Sequence, residues 1–306
     1  MQVNSMKALV TGVSGFMGSH IAERLIEMGW EVNGIDLKDC NSKDVNFIKG
    51  NILDKSKVEK AVKGCDYVFH EAAVTAPPEF EIYPKKGYKV NVLGTFNILS
   101  EASKAGVKRV IFASSSSVYG NLNKKAKEEM ATLNHVNLYP ITKMINEVTA
   151  RYFHNRSELE TIALRYFNTY GLRENTKGAY SSIIHKFISD IKLGRRPVIY
   201  GDGMQRRDFI YVEDVVDANI RAIKNGKSGE AYNVGTGDAL TFNEIEKIIA
   251  KEMGFEKEPI YIKNPLKHYQ TFTQADTTKA KKELKFVARF DIKKSIREML
   301  DKMAKA

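Results

Sequence analysis

Cysteine is almost missing from this chain: two thiols, Cys40 and Cys65, in 306 residues, at a separation that fits neither a zinc site nor a redox pair. Both are read as reduced thiols, which excludes a disulfide framework and a cysteine-held metal, and no metal site is expected. Long apolar runs are also missing. Nothing approaches the ~20 residues needed to cross a bilayer, so no membrane partner is expected. The opening Met1-Gln2-Val3-Asn4-Ser5 passes directly into a strand pattern without a signal-peptide profile, and a cytoplasmic setting is the expectation. Negative charge is in deficit, with 48 Lys and Arg against 37 Asp and Glu, a net +11. That surplus raises nucleic acid as a partner. The lysines are scattered, however (Lys85-Lys86, Lys124-Lys125-Lys127, Lys279-Lys281-Lys282), without interleaved aromatics, and read as solvated faces. No nucleic-acid partner is expected; a weak pull on a dianionic small molecule is the other reading of the charge.

What is present is ordinary globular material, 43% hydrophobic and 28% charged. Short β-branched runs at Lys7–Val10, Val32–Ile35, Val45–Ile48, Tyr67–Phe69, Val110–Phe112 and Thr161–Arg165 alternate with helical patterns at Gly15–Glu27, Lys57–Val62, Tyr88–Lys104 and Leu138–Phe153. This rhythm predicts an α/β fold, a doubly wound parallel sheet of Rossmann type with helices on both faces. After Gly171 the pattern loosens into helices near Ser181–Lys192, Glu213–Lys224, Phe242–Lys251 and Asp291–Lys302. Residues 6–171, joined by a returning segment at about 206–235, are expected to form the dinucleotide-binding domain, and 172–306 mainly a smaller C-terminal substrate-binding lobe.

The first strand runs into Thr11-Gly12-Val13-Ser14-Gly15-Phe16-Met17-Gly18. Glycines at 12, 15 and 18 permit a tight turn, close approach of backbone N–H groups to a pyrophosphate, and close packing of helix on strand. The pattern gains weight because it follows a strand, opens a helix, and is followed 18 residues after Gly18 by Asp36 at the end of the second strand. A carboxylate there accepts from both ribose hydroxyls and repels a 2′-phosphate, which selects NAD over NADP, with Lys38 as a counter-signal. Asn51 and Ile52 follow the third strand, where an amide and an apolar face suit adenine; a plain turn with Asp54 as N-cap is the alternative. His70-Glu71-Ala72-Ala73 ends the fourth strand, and small Ala72 and Ala73 let a dinucleotide lie against the backbone. Asn91, on the next helix, is placed to tie that turn and is counted with the cofactor residues.

The fifth strand ends in Ser114-Ser115-Ser116-Ser117, and 24 residues after Ser115 comes Tyr139-Pro140-Ile141-Thr142-Lys143. Four residues is about one helical turn, so Tyr139 and Lys143 share a face. Pro140 requires Tyr139 to stand at the helix start. A free tyrosine, with a pKa of about 10, is too weak an acid for neutral-pH work; a neighbouring ammonium and a cationic nicotinamide would stabilise its phenolate. Ser115 can bond the same substrate oxygen.

With these motifs together, the chain resembles the extended short-chain dehydrogenase/reductase family, specifically its nucleotide-sugar epimerases and dehydratases. The likeness runs from about Met6 to beyond Leu284. It implies Ser115, Tyr139 and Lys143 as catalytic residues, a seven-stranded Rossmann domain, NAD as cofactor, and a homodimer formed by helices around 91–104 and 138–153. It implies too that Arg165-Tyr166-Phe167-Asn168 runs beside the nicotinamide, with Tyr166 there and Asn168 at the substrate diphosphate. The stretch from Tyr200 to Val212 resembles the family's nucleotide-phosphate loop, with Arg207 as phosphate ligand; an ion pair of Arg207 with Asp208 or Asp214 is the alternative. Dehydratases of the family carry an Asp-Glu pair after the catalytic hydroxyl residue, where this chain has Ser116 and Ser117 beside the sugar. A 4-epimerase, most simply of UDP-glucose and UDP-galactose, is therefore the implied activity. Rivals are a dehydratase or reductase, or a catalytically idle NAD-binding protein. Two departures bear on the substrate. The arginine that relatives carry before Ala275-Asp276-Thr277-Thr278-Lys279 is missing, leaving Lys267 or His268 as replacements. Thr273 replaces a bulky tyrosine, which opens the sugar pocket to an acetamido or uronic-acid group.

Overall fold

The computed structural model describes residues 5–75, 77–265 and 270–305. Six strands, β1 (Lys7–Thr11), β2 (Glu31–Asp36), β3 (Val45–Lys49), β4 (Tyr67–His70), β5 (Arg109–Ser115) and β6 (Glu160–Tyr166), form a parallel sheet with a seventh, Ala231–Val234, at its edge. The spatial order is Ala231–Val234, β6, β5, β4, β1, β2, β3. Successive side chains in a strand point to opposite faces, so each face is built from alternate residues. Ala8, Val10, Phe69, Ile111, Ile162 and Leu164 meet helix α1 (Phe16–Glu27) and the helix Val212–Asn225 on one side. Leu9, Val68, Val110, Phe112 and Ala163 meet the helices Lys55–Val62, Thr95–Lys104 and Leu138–Arg156 on the other. Apolar on both faces, such strands read as continuous hydrophobic runs.

A separate core joins Phe187, Ile188 and Ile199 to Phe242, Ile245 and Ile249 and to Ile296 and Met299 of the last helix, Ile292–Lys305. The chain moves between this core and the sheet: Asn168–Tyr170 pairs in parallel with Phe209–Tyr211, and Ala231–Val234 then returns beside β6, Ala231 opposite Ala163. Among the described residues no helix is long and apolar enough to cross a membrane.

Two departures from the sequence reading have local causes. The single helix expected over Tyr88–Lys104 is three pieces: Pro84–Tyr88, a wide π-type turn Lys89–Gly94, and Thr95–Lys104. The Thr95 hydroxyl donates to the Asn91 carbonyl at 2.6 Å, and a Cβ on Gly94 would lie 2.5 Å from Ile52, so the turn is tight against the third strand's exit. Ala231–Val234 lacks a β-branched run of its own, and pairing with β6, more than intrinsic propensity, makes it a strand.

Candidate active site

In a parallel sheet the crevice lies beyond the carboxyl ends of the strands, and the expected residues converge there. Gly12 has φ +69°, and a Cβ on it would sit 2.9 Å from the Ala72 amide nitrogen; a Cβ on Gly18 would sit 2.1 Å from the Gly12 carbonyl oxygen. Only glycine lets β1, β4 and α1 meet this closely. Helix α1 starts at Phe16 with Gly15 as N-cap and no side-chain cap, leaving its first N–H groups for an anion. At the end of β2 the Asp36 carboxylate accepts from the amides of Ser14 and Lys38, both at 3.0 Å. The carboxylate and the glycine turn are thus fixed to each other.

A cleft of about 630 Å³ runs along this edge, lined by Gly12, Ser14, Gly15, Phe16, Met17, Gly18, Asp36, Asn51, Ile52, Ala72 and Ala73, and also by Ser115, Tyr139, Lys143 and Tyr166. These residues fit an extended dinucleotide: a glycine cradle that a Cβ would fill, an uncapped helix start, an alanine wall and a terminal carboxylate. Asn91 is placed otherwise. It lies behind the wall, its carboxamide accepting from Val74 N at 2.8 Å and donating to Val74 O and to Thr142 Oγ1. It positions the cleft without lining it. Asn51 uses its side-chain oxygen on the Leu53 amide at 2.9 Å, while Asp54 caps the next helix, so the turn reading holds, and Asn51 also lines the cleft.

A chain of hydrogen bonds leads from the sheet to the Leu138–Arg156 helix. Thr11 Oγ1 accepts from the amides of Glu71 and Ala72 and meets His70 Nδ1 at 2.7 Å; His70 Nε2 meets Thr95 Oγ1 at 2.9 Å. Thr95 then donates to Asn91 O, Asn91 to Thr142, and Thr142 to Tyr139 O. The sequence of donors requires a neutral imidazole, and burial pushes the His70 pKa down to about 3. The helix itself starts where Asn137 accepts from the Tyr139 amide at 2.8 Å, which puts Pro140 in the first turn, where it lacks no partner.

Tyr139 and Lys143 are both buried, at 8% and 3% exposure. The Lys143 ammonium donates to Ala113 O at 2.7 Å and stands 5.9 Å from the centre of the Tyr139 ring. Burial moves Tyr139 above its ordinary pKa, opposed by a hydrogen bond from the Ser115 hydroxyl, and brings Lys143 down to about 8, opposed by Glu71 and Glu147. Burial is the larger influence on the phenol here; the expected stabilisation of its phenolate draws on two cations, the ammonium and the nicotinamide. The positive charge that favours the phenolate is what bound NAD adds.

Of the residues expected to hold substrate, Ser115 lines this cleft, and Ser116, Ser117, Asn168, Tyr200, Arg207 and Thr273 do not. Asn168 donates to Asp208 O at 3.1 Å and to Thr273 Oγ1 at 2.9 Å. Arg207, 7% exposed, donates to the carbonyls of Arg206 and Gln270 and lies over the Phe242 ring. Asp208 takes instead the amides of Thr236, Gly237 and Ala275, and Asp214 those of Arg289 and Phe290. Asn168 and Thr273 are thus bonded to each other, and Arg207 lies on the same backbone pairing, which runs from Arg206 to Asp208 against Thr271 to Thr273. Ser116 and Ser117 open the short turn after β5, with the Ser117 amide donating to Ser115 Oγ at 3.1 Å. Tyr200 is half exposed at the end of another strand, Val198–Tyr200. Lys267 and His268 fall outside the described residues.

Two cleft residues had no role in the sequence reading. Glu71 accepts from the Tyr166 hydroxyl at 2.9 Å, and Asn219 donates to that hydroxyl at 2.8 Å. Its only signal was its place directly after β4. Lys177 stands 4.1 Å over the Phe16 ring with Glu174 at 3.3 Å; nothing in its local sequence marks it.

An uncapped helix start facing a glycine cradle, with a serine, tyrosine and lysine on the same wall, defines a dinucleotide-dependent oxidoreductase-type catalyst on a Rossmann sheet. Residues 8–235 match the model of the NAD dependent epimerase/dehydratase family, and the chain belongs to that family as an enzyme that uses NAD. It is 38% identical over 262 residues to a provisionally named UDP-glucose 4-epimerase of Methanocaldococcus jannaschii, covering 83% of this chain and 85% of that one. A solved UDP-glucose 4-epimerase of Thermotoga maritima with UDP-glucose superposes with a TM-score of 0.92 at 30% identity, covering 98% and 99% of the two chains. A UDP-N-acetylglucosamine 4-epimerase of Methanobrevibacter ruminantium gives 0.91 at 30%, with the same coverage.

Proposed function

We propose that this enzyme is a nucleotide-sugar 4-epimerase that interconverts UDP-glucose and UDP-galactose. The observation that carries the reading is that Tyr139, Ser115 and Lys143 share the dinucleotide cleft while Ser116 and Ser117, where elimination would need carboxyl groups, supply none. NAD, when bound, supplies a reversible hydride acceptor at C4. Tyr139 takes the proton of the 4-hydroxyl, Ser115 holds the same oxygen, and Lys143 stabilises the charged phenolate. The 4-keto sugar turns over, its C4 takes the hydride back on the opposite face, and Tyr139 returns the proton to its oxygen. No net oxidation results.

The 6–171 unit, with 206–235, is the part that holds NAD, and 172–306 mainly the substrate lobe; Asn168, Arg207 and Thr273 meet where the two adjoin and serve the diphosphate and sugar. An arginine fork suits a diphosphate. We assign the dimer face to the exposed apolar side chains Phe96, Val148 and Tyr152 on the Thr95–Lys104 and Leu138–Arg156 helices, with Leu93 just before the first. Acetamido sugars are the second reading, favoured by the small Thr273 and by the Methanobrevibacter relative.

The test is incubation with a panel of nucleotide sugars, products resolved by NMR and reduced nicotinamide followed by absorbance. Interconversion of the glucose and galactose forms without NADH build-up is expected. Stoichiometric NADH, or a 4-keto-6-deoxy product, refutes it. A preference of about a hundredfold for UDP-glucose over UDP-N-acetylglucosamine removes the second reading.

A further inference from the structure

The Tyr139–Lys143 pair is stripped of water, and a lone ammonium in such a place tends to give up its proton. The groups that can hold it charged are few. On its own helix, one turn on, Glu147 is engaged by a fork from Arg165, at 2.7 and 2.9 Å, and accepts from Ser114 at 2.5 Å; its charge is already compensated by a guanidinium. From β5 comes the neutral carbonyl of Ala113. From β4 comes His70, kept neutral by its bonds to Thr11 and Thr95; it pairs opposite Phe112 of β5, so the next residue, Glu71, adjoins Ala113, whose carbonyl holds the ammonium, and Glu71 and Lys143 line the same cleft. From β6 comes Tyr166, and from the Val212–Asn225 helix Asn219, both uncharged donors. Glu71 differs from Glu147 in that the side chain bonded to it is a phenol: it accepts a strong hydrogen bond and receives no positive charge with it. Asn219 fixes the phenol in turn, so the carboxylate is held by a two-step tether that reaches across the sheet edge from the helix Val212–Asn225.

We propose that Glu71 is the counter-charge of Lys143, a positioning residue that keeps the lysine protonated inside the cleft and thereby sets the alkaline limit of the Tyr139 acid/base step. Tyr166 and Asn219 serve this role by holding the carboxylate ionised and in place. The electrostatics run the same way: burial raises Glu71 to about 7 and lowers Lys143 to about 8, and each opposes the other's shift. Between those values both groups are charged, and each stabilises the other; below the window the glutamate is protonated, above it the lysine is neutral and the phenolate loses its partner. The catalytic part rests on the proposed epimerase reading, but the lysine's charge state does not.

The test is therefore made first without substrate. Lysine 13Cε resonances are followed against pH in the wild type, with Lys143 assigned by its absence in Lys143→Arg. In Glu71→Gln, which preserves shape and the bond from Tyr166 while deleting the charge, the Lys143 midpoint moves to lower pH by about one unit. In Tyr166→Phe, which keeps the carboxylate but removes its donor, the midpoint moves the same way by less. A midpoint unmoved in both variants, or moved to higher pH in Glu71→Gln, overturns the proposal; should Glu71→Gln fail to fold, an unmoved midpoint in Tyr166→Phe does so alone. With a nucleotide-sugar substrate, the alkaline limb of kcat in Glu71→Gln follows the lysine midpoint downward while KM changes little. Absence of any wild-type turnover would refute the epimerase reading and leave the titration to decide the role of Glu71.

Discussion

Replacing Gly18 by alanine tests whether the glycine turn is a cofactor cradle or only a packing device. The added Cβ would lie 2.1 Å from the Gly12 carbonyl oxygen and 2.7 Å from its carbon, both backbone atoms that cannot rotate away. Ordinary contact begins at 3.4 Å, so α1 must retreat by about 1.3 Å from the strand. Overpacking of that kind costs about 1–3 kcal/mol of stability. The retreat also carries the first N–H groups of the helix away from the pyrophosphate. A hydrogen bond to a charged group contributes about 1.5–3 kcal/mol, so losing one lowers NAD affinity roughly 10- to 100-fold. Gly15→Ala is the internal control: its Cβ would sit 3.1 Å from the same oxygen at an ordinary φ of −84°, which a shift of a few tenths of an ångström relieves. The assay is calorimetric titration of cofactor-stripped protein with NAD, alongside urea unfolding. Wild-type affinity in Gly18→Ala, or equal losses in the two variants, refutes the geometric argument.

Tyr139→Phe is expected to lower kcat by roughly 10²–10⁴-fold with NAD affinity retained, measured by turnover and calorimetry; near-normal turnover rules the phenol out as acid/base. His70, held neutral with its pKa near 3 against an ordinary 6.5, stabilises the fold above pH 6.5 and loses that contribution as pH falls towards 3, since the unfolded chain binds the proton first. The full effect is about 5 kcal/mol. Unfolding free energies measured between pH 7 and 5 should fall faster in the wild type than in His70→Gln, and coincident slopes would show that the imidazole is not kept neutral. Asn91→Leu strands the Val74 amide and carbonyl and the Thr142 hydroxyl, at a cost of about 3 kcal/mol seen as a lowered denaturation midpoint; an unchanged midpoint would mean that water replaces the amide.

The sheet was legible because its strands are buried on both faces and carry apolar runs, as Ala8–Val10 and Val110–Phe112 do. The cofactor wall was legible because glycine and a strand-end carboxylate are required by backbone geometry and leave marks at fixed spacing. Asn91 ties the turn after β4, as its place on the next helix suggested, but from behind the wall rather than in the cleft lining, because spacing places a residue on an element and says nothing of which way its side chain spends its hydrogen bonds. Glu71 was passed over because its neighbours Ala72 and Ala73 explained the segment, and its partner Tyr166 lies 95 residues away. The opposing effect of burial on the tyrosine was not legible for a related reason, since motif spacing shows the neighbouring cation but not how deeply the ring is buried. Lys177 depends on a meeting of two lobes that no local pattern encodes.

Phe16 belongs to two structures at once: it is the first residue of the helix that faces the pyrophosphate, and its ring is part of the core shared by Phe187, Ile245 and Met299. One aromatic side chain therefore acts as a hinge pin between the dinucleotide slot and the far lobe. If the packing around Phe187, Ile245 and Met299 loosens on heating, the pin is freed with it, and the expected outcome is that bound cofactor is released before the sheet comes apart.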